Sequence, residues 1–404
     1  MKKLTLYTTA AAAVFAISAA NASAEINPVK GNNLWFVSGH AEAGIYYNQY
    51  GNNNQYDRSV TAQGPLGESG NTGYLRNVHN ADGQLNQAVL SFGKKLDKTA
   101  SFDVGGRVDY MFGTDARFVQ SSGLEENTGG SDRSWGTGDY YSAIAQAYLE
   151  AGFGDTTVKA GKFLTPMGHN SIMSTDRFFY SLPVSHAFIP GTLTGVVVDH
   201  KFNDSFSAFA GWANGENQTF DNRENNAALI GARYDVNQKL NVKYTVLKGE
   251  DNRALGGDKF DYWVQSLEAN YKVSDRLDYM AEWTYRRDKT NSAGFSLGHG
   301  LLAGTGETRT NAINQELIYK VDDQWSVGGR AEYIHMVNTG GRDNFDAYSF
   351  VAGANWTPEE WLVVRPELRY DINHANANIF DNVSAANSGK DGQIAGGVSV
   401  VVKF

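Results

Sequence analysis

The segment "LVVRPELRYDI" places Leu362, Val364, Pro366, Leu368, Tyr370 and Ile372 at alternate positions, with Val363, Arg365, Glu367, Arg369 and Asp371 between them. Successive side chains of a strand point to opposite faces, so this segment carries one apolar and one charged face. The same period recurs in "WSVGGRAEYIHM", "SFDVGGRVDYMF", "LNVKYTV", "LDYMAEWTYRR" and "AALIGARYDV", and the sequence closes on it in "GQIAGGVSVVVKF". Counting alternation along the sequence predicts about sixteen strands. A chain patterned in this way has to fold as a large sheet whose two faces meet unlike surroundings.

The connections sort into two classes. "LDKT", "GDT", "NDS", "VNQK", "VSDR", "DDQ" and "TPEE" are short turns, and they alternate with long polar stretches at 48–83, 114–141, 164–190, 214–226, 248–259, 288–310 and 374–390. Only the link at 338–346 is of middling length. Such alternation gathers all turns at one end of an up-and-down sheet and all loops at the other. The fold expected is therefore all-β, a transmembrane antiparallel up-and-down barrel of about sixteen strands with short periplasmic turns and long external loops.

Alternation alone does not say which face looks inward. A soluble barrel would need a very large dry core to fill sixteen strands, whereas barrels of that size are too wide for side chains to fill and leave an aqueous channel. The charged face is thus assigned to the lumen and the apolar face to lipid. Aromatic residues mark the strand ends, with Trp35 and Tyr47 bracketing the first strand and Phe102, Trp325 and Phe404 on the turn side. Pairing the last strand with the first removes the open edges that lipid cannot satisfy. On this assignment Val400 faces lipid and rejects a charge, while Ser399 faces the lumen and tolerates a large polar side chain.

The first residues supply the route to a membrane. "MKK" is followed by the Ala-rich apolar stretch "LTLYTTAAAAVFAISAA" and by Ala22-Ser23-Ala24, the pattern of a secretory signal, so residues 1–24 are expected to be cleaved and 25–404 to form a single outer-membrane barrel domain. Losing Lys2 and Lys3 takes the formal charge from −9 to −11. An acidic chain without basic clusters argues against nucleic acid as a partner. There is no cysteine, hence no disulfide framework and no thiolate metal site. The eight histidines show no H-x-x-x-H or H-E-x-x-H pair, so neither a metal nor another cofactor is expected.

Several segments in order carry a family resemblance. "GRVDYMFGTDAR", then "AYLEAGF", then "VKAGKFLTPMG" and "DRFFYSLPVSHAFIPGTLTG" together resemble the β-barrel porin family of bacterial outer-membrane proteins that includes OmpL-like proteins. The "AGKFLTPMG" segment is also similar to phosphate-selective porins, more weakly. Family members often carry an acidic residue shortly after the Thr-Pro-x-Gly step; here His169 and Asn170 follow Gly168. A terminal aromatic after alternating apolar positions is similar to the sorting signal read by the barrel-assembly machinery, which makes Phe404 the expected assembly signal. The resemblance implies a Gram-negative outer-membrane location, contact with outer-membrane lipid and lipopolysaccharide, and a homo-oligomer as one of the states open to the chain.

The function expected is a porin, a water-filled channel for passive diffusion of small hydrophilic solutes and ions, and not an enzyme. The alternative is a plugged barrel that acts as an adhesin or receptor through its external loops. The expected pore-lining set is Asp103, Arg107, Asp109, Glu282, Arg286, Arg330, Glu332, Arg365, Glu367, Arg369 and Asp371. Two readings stand for each: contact with solute in a field focused by low-dielectric walls, or mutual pairing, such as Arg365 with Glu367 or Asp371 and Arg330 with Glu332. The loop at 164–190 carries "STDRFFYSLPVSHAFIP", apolar for an external loop, and is expected to fold inward so that Asp176, Arg177 and His186 border a constriction. Inward acids slightly outnumber inward bases, which predicts a weak cation preference unless Arg177 dominates the narrowest section. "GFSLG" at Gly294–Gly298 matches the hydrolase G-x-S-x-G pattern, but that pattern works only on a strand-to-helix elbow, and here it falls in a loop. Asp251 and Asp258 read as a solvated acidic rim.

Overall fold

A computed structural model of the chain describes residues 34–49, 81–126, 135–137, 139–220, 225–251, 260–290, 295–297, 301–303, 306–339, 344–373 and 391–404. The expected signal segment and Asp258 lie outside them. One sheet holds seventeen strands, and leaving out the two-residue Gly136–Thr137 gives sixteen that span. They begin with Trp35–Asn48, Gly83–Lys94, Phe102–Gly113, Tyr140–Phe153, Thr156–Leu164, Thr192–Lys201, Phe206–Glu216 and Asn226–Asn237. The second half comprises Leu240–Asp251, Phe260–Lys272, Leu277–Thr290, Gly306–Lys320, Trp325–Asn338, Phe345–Glu359, Leu362–Asn373 and Gly392–Lys403.

Every spanning strand pairs antiparallel with its sequence neighbours, and Trp35–Asn48 also pairs with Gly392–Lys403, from His40 opposite Lys403 to Asn48 opposite Ala395. The sheet therefore closes on itself. Phe404 completes the seam: its N–H donates to the Gly39 carbonyl at 2.9 Å, and Gly39 N–H returns a bond to its carbonyl at 2.7 Å. A Cβ at Gly39 would stand 2.6 Å from the Phe404 ring, so only glycine admits this approach. Closure leaves no unpaired edge in the apolar band.

The short turns are held by side chains at fixed offsets. In "LDKT" the Asp97 carboxylate accepts the Thr99 N–H at 2.9 Å, and Asn203, Asn237 and Asp322 accept from Ser205, Lys239 and Gln324 at 2.9, 2.8 and 2.8 Å. Asx side chains that bond the backbone two residues on mimic a backbone turn, which is why these positions turn so tightly. The Thr99 hydroxyl and amide also hold the Asp97 carboxyl below its ordinary range.

Lipid-facing positions are apolar and exposed, among them Ile45, Leu90, Phe92, Leu149, Ile230, Leu317, Leu368 and Val398. Aromatic pairs ring the turn side, with Trp325 stacked on Trp356 at 5.9 Å and Phe102 against Phe153 at 5.1 Å. A second belt toward the loops includes Phe112 on Tyr140 at 5.8 Å and Tyr333 against Tyr348 at 5.0 Å. Two girdles with an apolar band between them are the signature of a membrane barrel.

Candidate functional site

The lumen is not lined simply by charge. Leu229, Leu247, Val264, Ile334 and Met336 point inward near the loop end and Phe209 nearer mid-barrel, all buried, which corrects the expectation of a wholly polar inner face. What covers them is the segment between Thr156–Leu164 and Thr192–Lys201, which enters the barrel. Its Val184, Phe188 and Ile189 pack into the same apolar cluster. Phe178 and Phe179 lie against the inner wall at Gly328 and Gly353, where a Cβ would approach their rings to 2.7 and 3.1 Å. The apolar content of "STDRFFYSLPVSHAFIP" is thus spent on a core inside the barrel.

Polar bonds tie the same segment to strands around the barrel. Glu282 accepts the His169 N–H at 2.9 Å, Glu316 the Asn170 amide at 2.9 Å, Glu367 the Ser181 N–H at 3.0 Å and Glu332 the Ser185 N–H at 3.1 Å. Tyr180 donates its hydroxyl to Asn86 at 2.9 Å. A second inserted segment, Thr114–Phe118 and the residues that follow it to Glu126, lies against the wall through Gln87 to Asp115 at 2.8 Å and Lys162 to Glu125 at 2.8 Å. Burial pushes the Asp115 carboxyl up and the His169 imidazole down from their ordinary values.

Of the eleven residues expected to line the pore, nine are buried under these segments, and only Asp103 and Arg107 stay partly accessible. Pairing follows a local rule. Residues two apart share a strand face, and Arg107–Asp109 at 2.7 Å, Arg286–Asp288 at 2.9 Å, Arg330–Glu332 at 3.5 Å and Arg369–Asp371 at 2.7 Å are all such pairs. Arg286 also makes a two-pronged contact with Glu216 at 2.7 and 2.9 Å. Arg365 takes neither Glu367 nor Asp371; it reaches across the seam to Glu42 at 2.5 Å and to the carbonyls of Ser174 and Arg177 at 2.9 and 3.0 Å. Glu367 instead accepts the Tyr46 hydroxyl at 2.9 Å.

The three residues expected at the constriction separate. His186 is buried in the short 3-10 turn Val184–Phe188. Arg177 is buried, with Glu42 at 3.0 Å and Asp115 at 3.6 Å, so it does not act as the exposed cation the sequence allowed. Asp176 is exposed together with Thr175. Toward the turns the lumen opens into cavities of about 550 and 870 Å³ bordered by His169, Asp204, Asp235, Asn241 and Asn270. Arg233–Asp199 at 2.6 Å and Lys243–Glu268 at 2.9 Å stand on the wall of this vestibule. Lys159 lies over the Tyr148 ring at 4.3 Å. Among the described residues no cluster of histidine and carboxylate groups has a metal-binding arrangement. Phe295–Leu297 pairs with Leu301–Ala303 as a small hairpin, so Ser296 does not sit on a strand-to-helix elbow.

A family model described as "Putative beta-barrel porin-2, OmpL-like" matches residues 13–404. The chain belongs to this family. No curated protein matches the sequence. Among solved structures, OmpT of Vibrio cholerae in its trimer form is similar at a TM-score of 0.58 and 12% identity, over 92% of this chain and 99% of that one. The anion-selective porin from Comamonas acidovorans gives 0.58 and 14% over 92% and 99%, and the outer membrane channel DcaP of Acinetobacter baumannii 0.59 and 14% over 95% and 100%. At such identities the likeness is one of fold. This porin is an outer-membrane β-barrel that forms a channel for passive solute diffusion.

Proposed function

We propose that this porin passes small hydrophilic solutes and ions along a path that the inserted segment narrows, with Asp176 on that segment and Arg107 on the wall as the charges that a permeating solute meets. The observation that carries this reading is the exposure of Asp176 on the inserted segment, next to an Arg177 that is buried and paired with Glu42. On the vestibule wall Asp199 is paired with Arg233 and the buried Glu268 with Lys243. Asp176 then tips the channel toward a weak preference for cations. Low-dielectric walls focus its field, and salt screens it, with a Debye length of ~30 Å at 0.01 M and ~3 Å at 1 M.

Phe404 would be read by the barrel-assembly machinery through the terminal strand it completes. The assembled form would be a monomer or a homo-oligomer, and cross-linking in native membrane distinguishes them. Catalysis is no part of this reading, and Ser296→Ala is expected to change no esterase activity. Reconstitution in planar bilayers tests the proposal: a steady current with a slightly cation-selective reversal potential supports it. Absence of any current would favour a plugged receptor, the reading to which the many bonds between wall and inserted segment otherwise lend weight.

A further inference from the structure

The tight turn at Gly154 and Asp155 joins strands Tyr140–Phe153 and Thr156–Leu164 and sets Glu150 directly opposite Lys159 in the register. Both face the lumen. Leu149 and Ala160, next to them in the chain, are exposed to lipid, and Tyr148, two residues before Glu150, packs with Val197 against the inner apolar cluster. Glu150 and Lys159 lie on the turn side of Lys162, where the segment that runs to Glu126 makes its contact with the wall. Tyr148, Glu150 and Lys159 are half-buried there.

Opposite charges placed across from each other on neighbouring strands ordinarily pair. These two do not. The Lys159 ammonium sits 4.3 Å over the centre of the Tyr148 ring, on the loop side of Glu150. Glu150 instead lies across Gly105 of the neighbouring strand, with its Oε1 3.4 Å from where a Cβ would stand. Among the described residues neither charge has an ion pair or a hydrogen bond. The charges around them are matched, Lys94 with Asp103 at 2.6 Å, Arg107 with Asp109 at 2.7 Å and Arg233 with Asp199 at 2.6 Å. This wall therefore offers a free carboxylate and a free ammonium side by side. Residues two apart on a strand are ~6.6 Å apart, so the Glu150 carboxylate and the ammonium over Tyr148 flank a gap of about that size.

We propose that Glu150 and Lys159 form a binding station for α-amino acids in their zwitterionic form, Glu150 accepting from the α-ammonium and Lys159 donating to the α-carboxylate. A solute that carries both charges on one carbon spans the gap with two charge-assisted bonds of ~2.8 Å. A solute with a single charge gains one of these bonds and meets a like charge at the other side, which repels it. Low-dielectric walls strengthen both bonds relative to bulk water. The station names a substrate class for the channel, and it rests on the open path of the proposed function, which brings the solute to this wall. An amino acid of this form is neutral overall, so it adds nothing to the ion preference expected from Asp176.

The test uses the full-length protein folded in detergent and the broadening of solute NMR signals, which reports binding whether or not a current flows. Three probes of matched skeleton are compared at neutral pH: L-alanine, propionate, which lacks the ammonium, and ethylamine, which lacks the carboxylate. L-Alanine is expected to bind at least about tenfold better than either. Glu150→Gln should weaken alanine and strengthen propionate, whereas Lys159→Gln should weaken alanine and strengthen ethylamine. Damage to the fold would weaken all three probes together, and gel mobility before and after heating checks that each variant is folded. Alanine binding no better than propionate or ethylamine, or variants that leave alanine unchanged or lower all probes alike, overturns the proposal. Planar-bilayer current is read in parallel. A steady current without preferential alanine binding overturns the station and leaves the channel reading standing, while alanine binding by a protein that passes no current supports the station and removes the path.

Discussion

Glu42 is the perturbation whose magnitude follows most directly from the structure. Its carboxylate is fully buried and accepts Arg177 at 3.0 Å from the inserted segment and Arg365 at 2.5 Å from the wall beyond the seam. Glu42→Ala removes one negative charge and leaves two guanidinium groups with 2% and 3% exposure. Breaking a buried pair typically costs about 3–5 kcal/mol, because the surviving charge is desolvated without compensation. Here Arg365 keeps two backbone carbonyls and Arg177 keeps the Ile172 carbonyl at 2.8 Å, so the lower end, about 3 kcal/mol, is expected. Urea unfolding of the barrel refolded into lipid vesicles reads this loss as a lower midpoint at unchanged slope. Arg177→Leu combined with Glu42→Leu should be less harmful than the sum of the two, since the pair is removed together. The control is Asp323→Ala, which breaks the exposed 2.8 Å pair with Lys320 and should leave the midpoint unchanged. A Glu42→Ala loss below about 1 kcal/mol would refute the claim that this carboxylate ties the inserted segment to the wall.

The other predictions are independent of that one. Val400→Arg, on the lipid face of the last strand, should cost about 2–4 kcal/mol in lipid, and Asp235→Arg in the open vestibule should be tolerated; equal losses would mean that the faces are misassigned. Deleting Phe404 should lower surface levels of the folded barrel far more than it alters the current of those that fold, measured by surface labelling against single-channel recording. His169 contributes a pH dependence whose sign is fixed. Its folded value lies below the ordinary 6.5, so the unfolded chain takes up the proton first, and stability present at neutral pH is lost as pH falls through that value. The stability difference between the native protein and His169→Gln should be constant above pH 7 and shift against the native protein below 6.5; a difference independent of pH would contradict it.

Period-two alternation made nearly all of the barrel legible, because a strand between lipid and lumen cannot hide which side each residue faces. The seam was legible too, since an open edge has no place in a bilayer, and "VSVVVKF" was the segment left to close it. The inside was read less completely. Arg-x-Asp and Arg-x-Glu pairs are visible as residues two apart, but the contact between Glu42 and Arg365 joins positions 323 apart and exists only because the barrel closes. Leu229, Leu247 and Val264 read as ordinary strand residues, and nothing local reveals that they face an inserted segment. Ser399 shows the same blind spot. It sits on the inner face as expected, yet it is buried and accepts Arg365 Nε at 3.3 Å, so a large substitution there meets a filled lumen. The apolar run in "STDRFFYSLPVSHAFIP" was the one local signal that something enters the barrel.

The most direct test of the channel account is the zero-current potential of the reconstituted protein in a potassium chloride gradient at low salt. A steady current with a small potential of cationic sign is predicted, shrinking toward zero in Asp176→Asn and unchanged in sign by Arg177→Ala in folded channels. A strong anionic potential, or one that Asp176→Asn leaves untouched, would contradict the claim that the exposed acid of the inserted segment borders the path.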